Sequence, residues 1–335
     1  MTGWRSSDTP SRCLTEALPR RARWPPSSRP AWTPLNNSFL PSISQRGRGS
    51  PLRRRSQRFS SRRPEKPEVS SSLVLIGAGR MGGAMARGWA AQPSGPASGG
   101  VSIVEPAPSD GLIEMVRLAR FQLNPKPQPS AFVVLAVKPQ GFSAACADIA
   151  GWVGPDSVVI SIMAGVPMER IATAFGVSRV ARAMPNTPGA IGKGVTGYCR
   201  SEAVSSENQA SIEGLLSPLG EVVGPLDEAL IDVVTAISGS GPAYVFLLAE
   251  ALAAAGVRNG LDADTARILA RATVAGAGAL LERGDDPAAL RRAVTSPGGT
   301  TAAALSVLMG SEGLDPLLDK AVSAAIVRSR ELAAS

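Results

Sequence analysis

The chain has 335 residues, with 35 Lys+Arg against 27 Asp+Glu, no His and 3 Cys. That length favours two domains over one, and the absence of His removes the usual general base, proton shuttle and commonest metal ligand together. Cys13, Cys146 and Cys199 are odd in number and far apart, which excludes a disulfide framework or zinc ribbon and fits a reducing compartment.

The net charge of +8 belongs to one end of the chain. Residues 1–70 hold 14 Arg and 1 Lys against 4 acids, whereas residues 71–335 hold 20 basic and 23 acidic ones. A body without excess positive charge gives no support to a nucleic-acid surface. The leading segment also carries ten Pro and the run Arg53-Arg54-Arg55, with no apolar periodicity, and 1–70 is expected to be a disordered basic extension. The same Arg-rich, Ser-rich composition describes an organelle transit segment, so targeting stays open beside a cytoplasmic location. No uninterrupted apolar run long enough to cross a bilayer follows, and no membrane span is expected.

From Ser71 the composition changes. Leu73-Val74-Leu75-Ile76 reads as a strand buried on both faces, followed at once by Gly77-Ala78-Gly79-Arg80-Met81-Gly82 and a helical run from Ala84. This is G-x-G-x-x-G in its strand-to-helix context. The first Gly permits the tight turn, the second lets backbone approach a pyrophosphate, and the third lets helix and strand pack closely. A second strand, Val101–Val104, ends at Glu105. The interval from Gly82 suits an acid that accepts hydrogen bonds from an adenine-ribose diol. Taken alone, Glu105 favours NADH over NADPH.

Further strands are expected at 132–137, 157–162 and 179–184. The first two run into Lys138-Pro139-Gln140 and Met163-Ala164-Gly165, turns of the kind that hold ligands at the carboxyl edge of a parallel sheet. The third leads into the rigid Pro185-Asn186-Thr187-Pro188 turn. Beyond about residue 230 the pattern becomes helical. Gly241-Pro242 opens a run from Ala243 to Leu252 that is apolar around nearly its whole circumference, which demands burial in a large core or against a second subunit. Thr295-Ser296-Pro297-Gly298-Gly299-Thr300-Thr301 then precedes another helical run, an N-terminus rich in donors and hydroxyls that suits a small carboxylate. Ordinary capping by Ser or Thr explains one such hydroxyl.

Taken in order, the Gly77–Gly82 turn, Ala136–Gln140, Ser161–Val166, Arg182–Gly194, Ile237–Phe246 and Val294–Leu305 resemble pyrroline-5-carboxylate reductase over residues 72–333. The resemblance implies an α/β Rossmann-like N-terminal domain over 71–229 and an all-α C-terminal dimerisation domain over 230–335, a homodimer assembling into larger rings. It implies nucleotide binding at Gly77, Ala78, Gly79, Arg80, Met81 and Gly82, at Ala136, Val137, Lys138 and Pro139, and at Ala164. Glu105 and Asn124 are placed beside the adenosine. It implies NADPH more often than NADH, and no metal. It further implies that Ser296, Gly299, Thr300 and Thr301 hold the substrate carboxylate, with Thr301 beside the imine nitrogen as the catalytic hydroxyl and Glu228 near the substrate. A β-hydroxyacid dehydrogenase is the first alternative, but no Lys follows Gly189–Gly194 at helical spacing. A non-catalytic nucleotide sensor is the second, and would not need the Ser/Thr/Gly cluster.

Overall fold

The structure, a computed structural model, describes residues 73–334 apart from 93, 94 and 96. The basic extension expected over residues 1–70 lies outside the described residues. Eight strands form one sheet: β1 Leu73–Ile76, β2 Val101–Val104, β3 Gln122–Leu123, β4 Ser130–Leu135, β5 Val153–Ser161, β6 Val180–Met184, β7 Gly194–Arg200 and β8 Gly220–Leu226. Their spatial order is β3-β2-β1-β4-β5-β6-β7-β8, parallel throughout except for the antiparallel β6–β7 pair. The order reverses between β1 and β4, the kind of switch point at whose carboxyl edge open sheets bind ligands.

Successive strand residues point to opposite faces, and both faces of β1 are buried. Leu73 and Leu75 join one core, Val74 and Ile76 the other. The intervening helices are α1 Arg80–Ala91, α2 Asp110–Ala119, α3 Phe142–Ala150, α4 Met168–Phe175 and α5 Ser206–Leu216. Helices α1, α2 and α5 cover the first face through Met85, Trp89, Leu112, Val116 and Ile212, and α3 and α4 cover the second through Phe142, Ile149 and Ile171. The buried Trp89 ring donates its N–H to the Leu215 carbonyl at 2.9 Å, so its polar tip is satisfied while its body packs. Truncating it to Ala would cost about 3–5 kcal/mol. Ser109 and Ser205 cap α2 and α5 by accepting from the N–H groups of Leu112 and Asn208.

Strands β1, β2, β4, β5 and β6 fall where the apolar runs predict them. Strands β3, β7 and β8 have no such run. Strand β7, Gly-Val-Thr-Gly-Tyr-Cys-Arg, is mixed in composition yet buries Thr196, Tyr198 and Cys199, so pairing to β6 overrode its weak local pattern.

After β8 the chain is helical. A 3₁₀ turn at Glu228–Leu230 leads through α6 Ile231–Val234 and a π turn at Thr235–Gly239 into α7 Gly241–Arg258. Then follow α8 Ala263–Leu281, α9 Pro287–Ala293, α10 Thr300–Leu308 and α11 Leu314–Ala334. Within one chain α7 buries none of its 18 residues, and Phe246 and Leu247 are 66% and 62% exposed. A large core of its own chain is therefore not what covers this helix. The segment Glu228–Arg258 is also long and apolar enough to cross a membrane by length and composition. Length and composition alone do not make it a span: Gly, Ser and a few charges interrupt the apolar run, and a helix packed against protein passes the same test.

Candidate active site

The glycine-rich turn leaves β1 at the switch point. Gly77 has φ +92°, a conformation costly for a residue with a Cβ, and a Cβ there would lie 2.8 Å from the Ala136 carbonyl oxygen at the end of β4. A Cβ on Gly82 would collide with the Gly77 carbonyl oxygen. Both glycines are thus required by the protein's own packing. Gly79 differs: nothing lies within 4 Å of where its Cβ would stand. It is the N-cap of α1, with φ −62° that any residue adopts, no side chain caps the helix, and its first turn holds no acid. The N-terminal donors of a 12-residue helix therefore face open space beside a residue kept small for no internal reason. Those features fit the pyrophosphate of a dinucleotide.

The residues expected beside the adenosine sit at the ends of β2 and β3. Glu105 Oε2 accepts the Ala78 N–H at 2.8 Å and Oε1 the Ala107 N–H at 3.2 Å. Asn124 faces Glu105 from the next strand: its Oδ1 accepts the Glu105 N–H at 2.8 Å and its Nδ2 donates to the Glu105 carbonyl at 3.0 Å. On the other side, Ala136, Val137 and Lys138 follow β4, with Lys138 exposed. A cavity of about 530 Å³ opens there between Pro139, Gln140, Ala164, Gly165 and Arg170. A smaller one of about 220 Å³ shares Ala164 and Gly165 and reaches Thr235, Ser240 and Ser329 of the helical half. Gly77–Gly82, Glu105, Asn124, Ala136–Pro139 and Ala164 accordingly lie along one carboxyl edge of the sheet.

The expected substrate corner lies elsewhere. Gly299 is the N-cap of α10 and no side chain caps that helix. Thr295 donates to the Arg291 carbonyl at 2.6 Å, while the hydroxyls of Ser296, Thr300 and Thr301 bond to nothing among the described residues. Ordinary capping thus accounts for none of those three. The adjoining cavity, about 430 Å³, is lined by Arg291, Arg292, Thr295, Ala302, Leu305 and neighbours, and shares no residue with the two at the sheet edge. None of these three cavities is lined from both the sheet edge and the α9–α10 stretch.

Glu228 lines none of these cavities. Its Oε1 accepts the Met168 N–H, the first of α4, at 2.8 Å and lies 3.6 Å from Arg182 Nη1. Arg182 is a cation buried in mid-strand, its Nε and Nη2 without hydrogen-bond partners. Asp232 faces it at 3.8 Å and also accepts the Ser329 hydroxyl at 2.7 Å. This node ties β6, α4, α6 and α11 together, and the sequence reading passed over Arg182, Asp232 and Ser329. The one available signal was an Arg inside an otherwise apolar strand. Neither thiol among the described residues is an activated nucleophile: burial pushes Cys199 up to about 11 and raises Cys146 as well.

A doubly wound sheet with an open dinucleotide cradle, followed by helices whose apolar faces lack a partner, defines a nicotinamide-dependent oxidoreductase that works as an oligomer. A family model described as "Pyrroline-5-carboxylate reductase dimerisation" matches residues 228–332, and one described as "NADP oxidoreductase coenzyme F420-dependent" matches residues 72–165. The pyrroline-5-carboxylate reductase of Arabidopsis thaliana is 34% identical over 272 residues, 80% of this chain and 98% of its own. That of Pseudomonas aeruginosa is 43% identical over 203 residues, 60% of this chain and 74% of its own. Among solved structures, a pyrroline-5-carboxylate reductase from Coxiella burnetii superposes with TM-score 0.70 at 33% identity, covering 78% of this chain and 98% of that one. The Plasmodium falciparum enzyme with NADP bound gives TM-score 0.63 at 28% identity, covering 78% and 99%. The chain belongs to the pyrroline-5-carboxylate reductase family. The apolar Glu228–Arg258 segment falls almost wholly inside the match to the dimerisation family model.

Proposed function

We propose that the chain reduces the C=N bond of L-1-pyrroline-5-carboxylate to L-proline, the last step of proline biosynthesis, at a site shared between two copies. The observation that carries this is the pairing of an open Gly79 cradle with a separate corner, Ser296–Thr301, whose free hydroxyls point to a small anion. The reduced nicotinamide supplies the hydride when bound. Everything else falls to the chain. The α10 N-terminus, with Gly299 as its N-cap, and the hydroxyls of Ser296, Thr300 and Thr301 hold the carboxylate, and Thr301 hydrogen-bonds the ring nitrogen. A Thr hydroxyl is a weak acid, so it relays a proton between nitrogen and water and does not deliver its own. The ring is most electrophilic when its nitrogen is protonated. Orientation and exclusion of water then suffice, in keeping with a chain that has no His.

Two copies are invoked because α7 exposes its apolar face and the cavity beside Thr295 shares no residue with those at the sheet edge. On this reading 71–229 is the nucleotide domain and 230–335 the dimerisation domain, with dimers associating further in the cytoplasm. Gly77–Gly82, Ala136–Pro139 and Ala164 hold the nucleotide, and Glu228 acts near the substrate by fixing the loop after β5. Glu105 places a carboxylate where a 2′-phosphate would lie, so NADH serves at least as well as NADPH. Initial rates of nucleotide oxidation, with the cyclic imine set against a panel of 3-hydroxy acids, test the proposal. Turnover confined to the imine is expected, and turnover of a hydroxy acid alone would overturn it.

A further inference from the structure

Strand β3 ends at Leu123, and the next residue does the work of a longer strand. Asn124 has φ +47°, the left-handed region in which Asn is among the few tolerated residues. That turn sends its N–H to the Ile103 carbonyl at 2.8 Å and its side chain across the end of β2. There the amide brackets the backbone of Glu105, accepting from its N–H at 2.8 Å and donating to its carbonyl at 3.0 Å. The orientation of the amide is forced, since an N–H only donates and a carbonyl only accepts. The Glu105 carboxylate is held in turn by the N–H groups of Ala78 and Ala107, one to each oxygen. Each oxygen keeps a lone pair, two acceptors in all for the two hydroxyls of a ribose diol.

We infer that Asn124 sets the preference for NADH over NADPH as a positioning residue, by holding Glu105 where a 2′-phosphate must meet it; this rests on the reading of Glu105 given above. An acid on a free backbone swings aside and admits a phosphate. Here swinging aside forfeits the bonds to Ala78 and Ala107, and the backbone cannot shift to follow because Asn124 grips both of its polar groups. Nor does the next stretch, Pro106-Ala107-Pro108-Ser109-Asp110, offer a cation to a phosphate. Discrimination thus depends on a side chain distant in sequence whose amide is committed to Glu105.

The test is equilibrium binding of NADH and NADPH to the full chain without substrate, read from nucleotide fluorescence, with thermal melts alongside. Asn124→Gly keeps the left-handed backbone and deletes the amide, whereas Asn124→Asp keeps the shape and loses the donor. Glu105→Gln removes the charge directly. In the wild type NADH binds the more tightly. Both Asn124 variants and Glu105→Gln should narrow the ratio of the two dissociation constants by about 10- to 100-fold, the scale of a charge-assisted hydrogen bond, with the melting temperature nearly unchanged. If Glu105→Gln narrows the ratio and the Asn124 variants shift both constants in parallel, Asn124 has no positioning role and the inference falls while the reading of Glu105 stands. If Glu105→Gln leaves the ratio unchanged, or the wild type prefers NADPH strongly, the reading of Glu105 falls and takes the inference with it. Should Asn124→Gly not fold, Asn124→Asp carries the same comparison.

Discussion

The sheet half and the helical half of this chain differ in completeness. Strand β1 is buried on both faces, and Trp89, Met85, Phe142 and Ile171 are sealed between sheet and helices. Helices α7, α9 and α10 bury no residue at all, and α8 buries only Ala266 and Ala270. A surface with Phe246, Leu247 and Ile268 each more than half exposed is far more apolar than an isolated soluble chain presents to water, and marks an interface. The lesson is that the sheet half is packed within one chain while the helical half leaves its apolar faces uncovered. On the proposed function, chemistry is then coupled to assembly.

Phe246→Glu should produce the largest effect by placing a charge in that interface, where loss of an aromatic anchor costs about 2 kcal/mol or more. Sedimentation should show monomers, and turnover should fall by more than about 100-fold while the sheet half still binds nucleotide. A monomer with full activity would break the comparison. Complementation sharpens it. Gly79→Val should abolish nucleotide binding without lowering the melting temperature, since its side chain meets only open space. Thr301→Ala should spoil the other half. Mixed dimers of the two impaired variants would regain about a quarter of the activity, half the dimers each holding one intact site, if the site spans two chains. No recovery at all would confine it to one chain.

Thr301→Ala alone should lower kcat/KM by about 10- to 100-fold, the cost of one hydrogen bond to a charged group, with the nucleotide dissociation constant unchanged; an unaltered kcat/KM removes the hydroxyl from the site. The smallest effect is expected from thiol alkylation. With Cys199 buried and raised to about 11, the thiol is protonated at neutral pH and becomes reactive only as pH climbs toward that value. Iodoacetamide at about neutral pH should leave rates within about twofold, and rapid inactivation would place a thiolate at the centre of the chemistry.

Much of this was legible along the chain. Apolar stretches marked β1, β4 and the end of β5, and mostly apolar ones, broken by Ser102 and Arg182, marked β2 and β6, because strands covered on both sides carry few polar residues. The glycine spacing marked the cradle, and Glu105 followed at the distance one βαβ unit imposes. Arg182 was not legible in its role, because its partners Glu228 and Asp232 are remote along the chain and no local pattern links a strand interior to a helix start. Nor was the pairing of Asn124 with Glu105, which exists only because β2 and β3 end side by side.

By itself the sequence determined the period of most elements, the glycine-rich turn between the first strand and helix, and the excess of apolar residues that a lone helical half cannot hide. Tertiary structure alone decided which glycines the protein's own packing keeps small and which it leaves free, that no described cavity is lined from both the sheet edge and the stretch beside Thr295, and that the Asn124 amide brackets the backbone of Glu105. The physical reason is range. Periodicity and turn chemistry act over a short stretch of chain, whereas excluded volume and hydrogen bonding act between whatever the fold brings together.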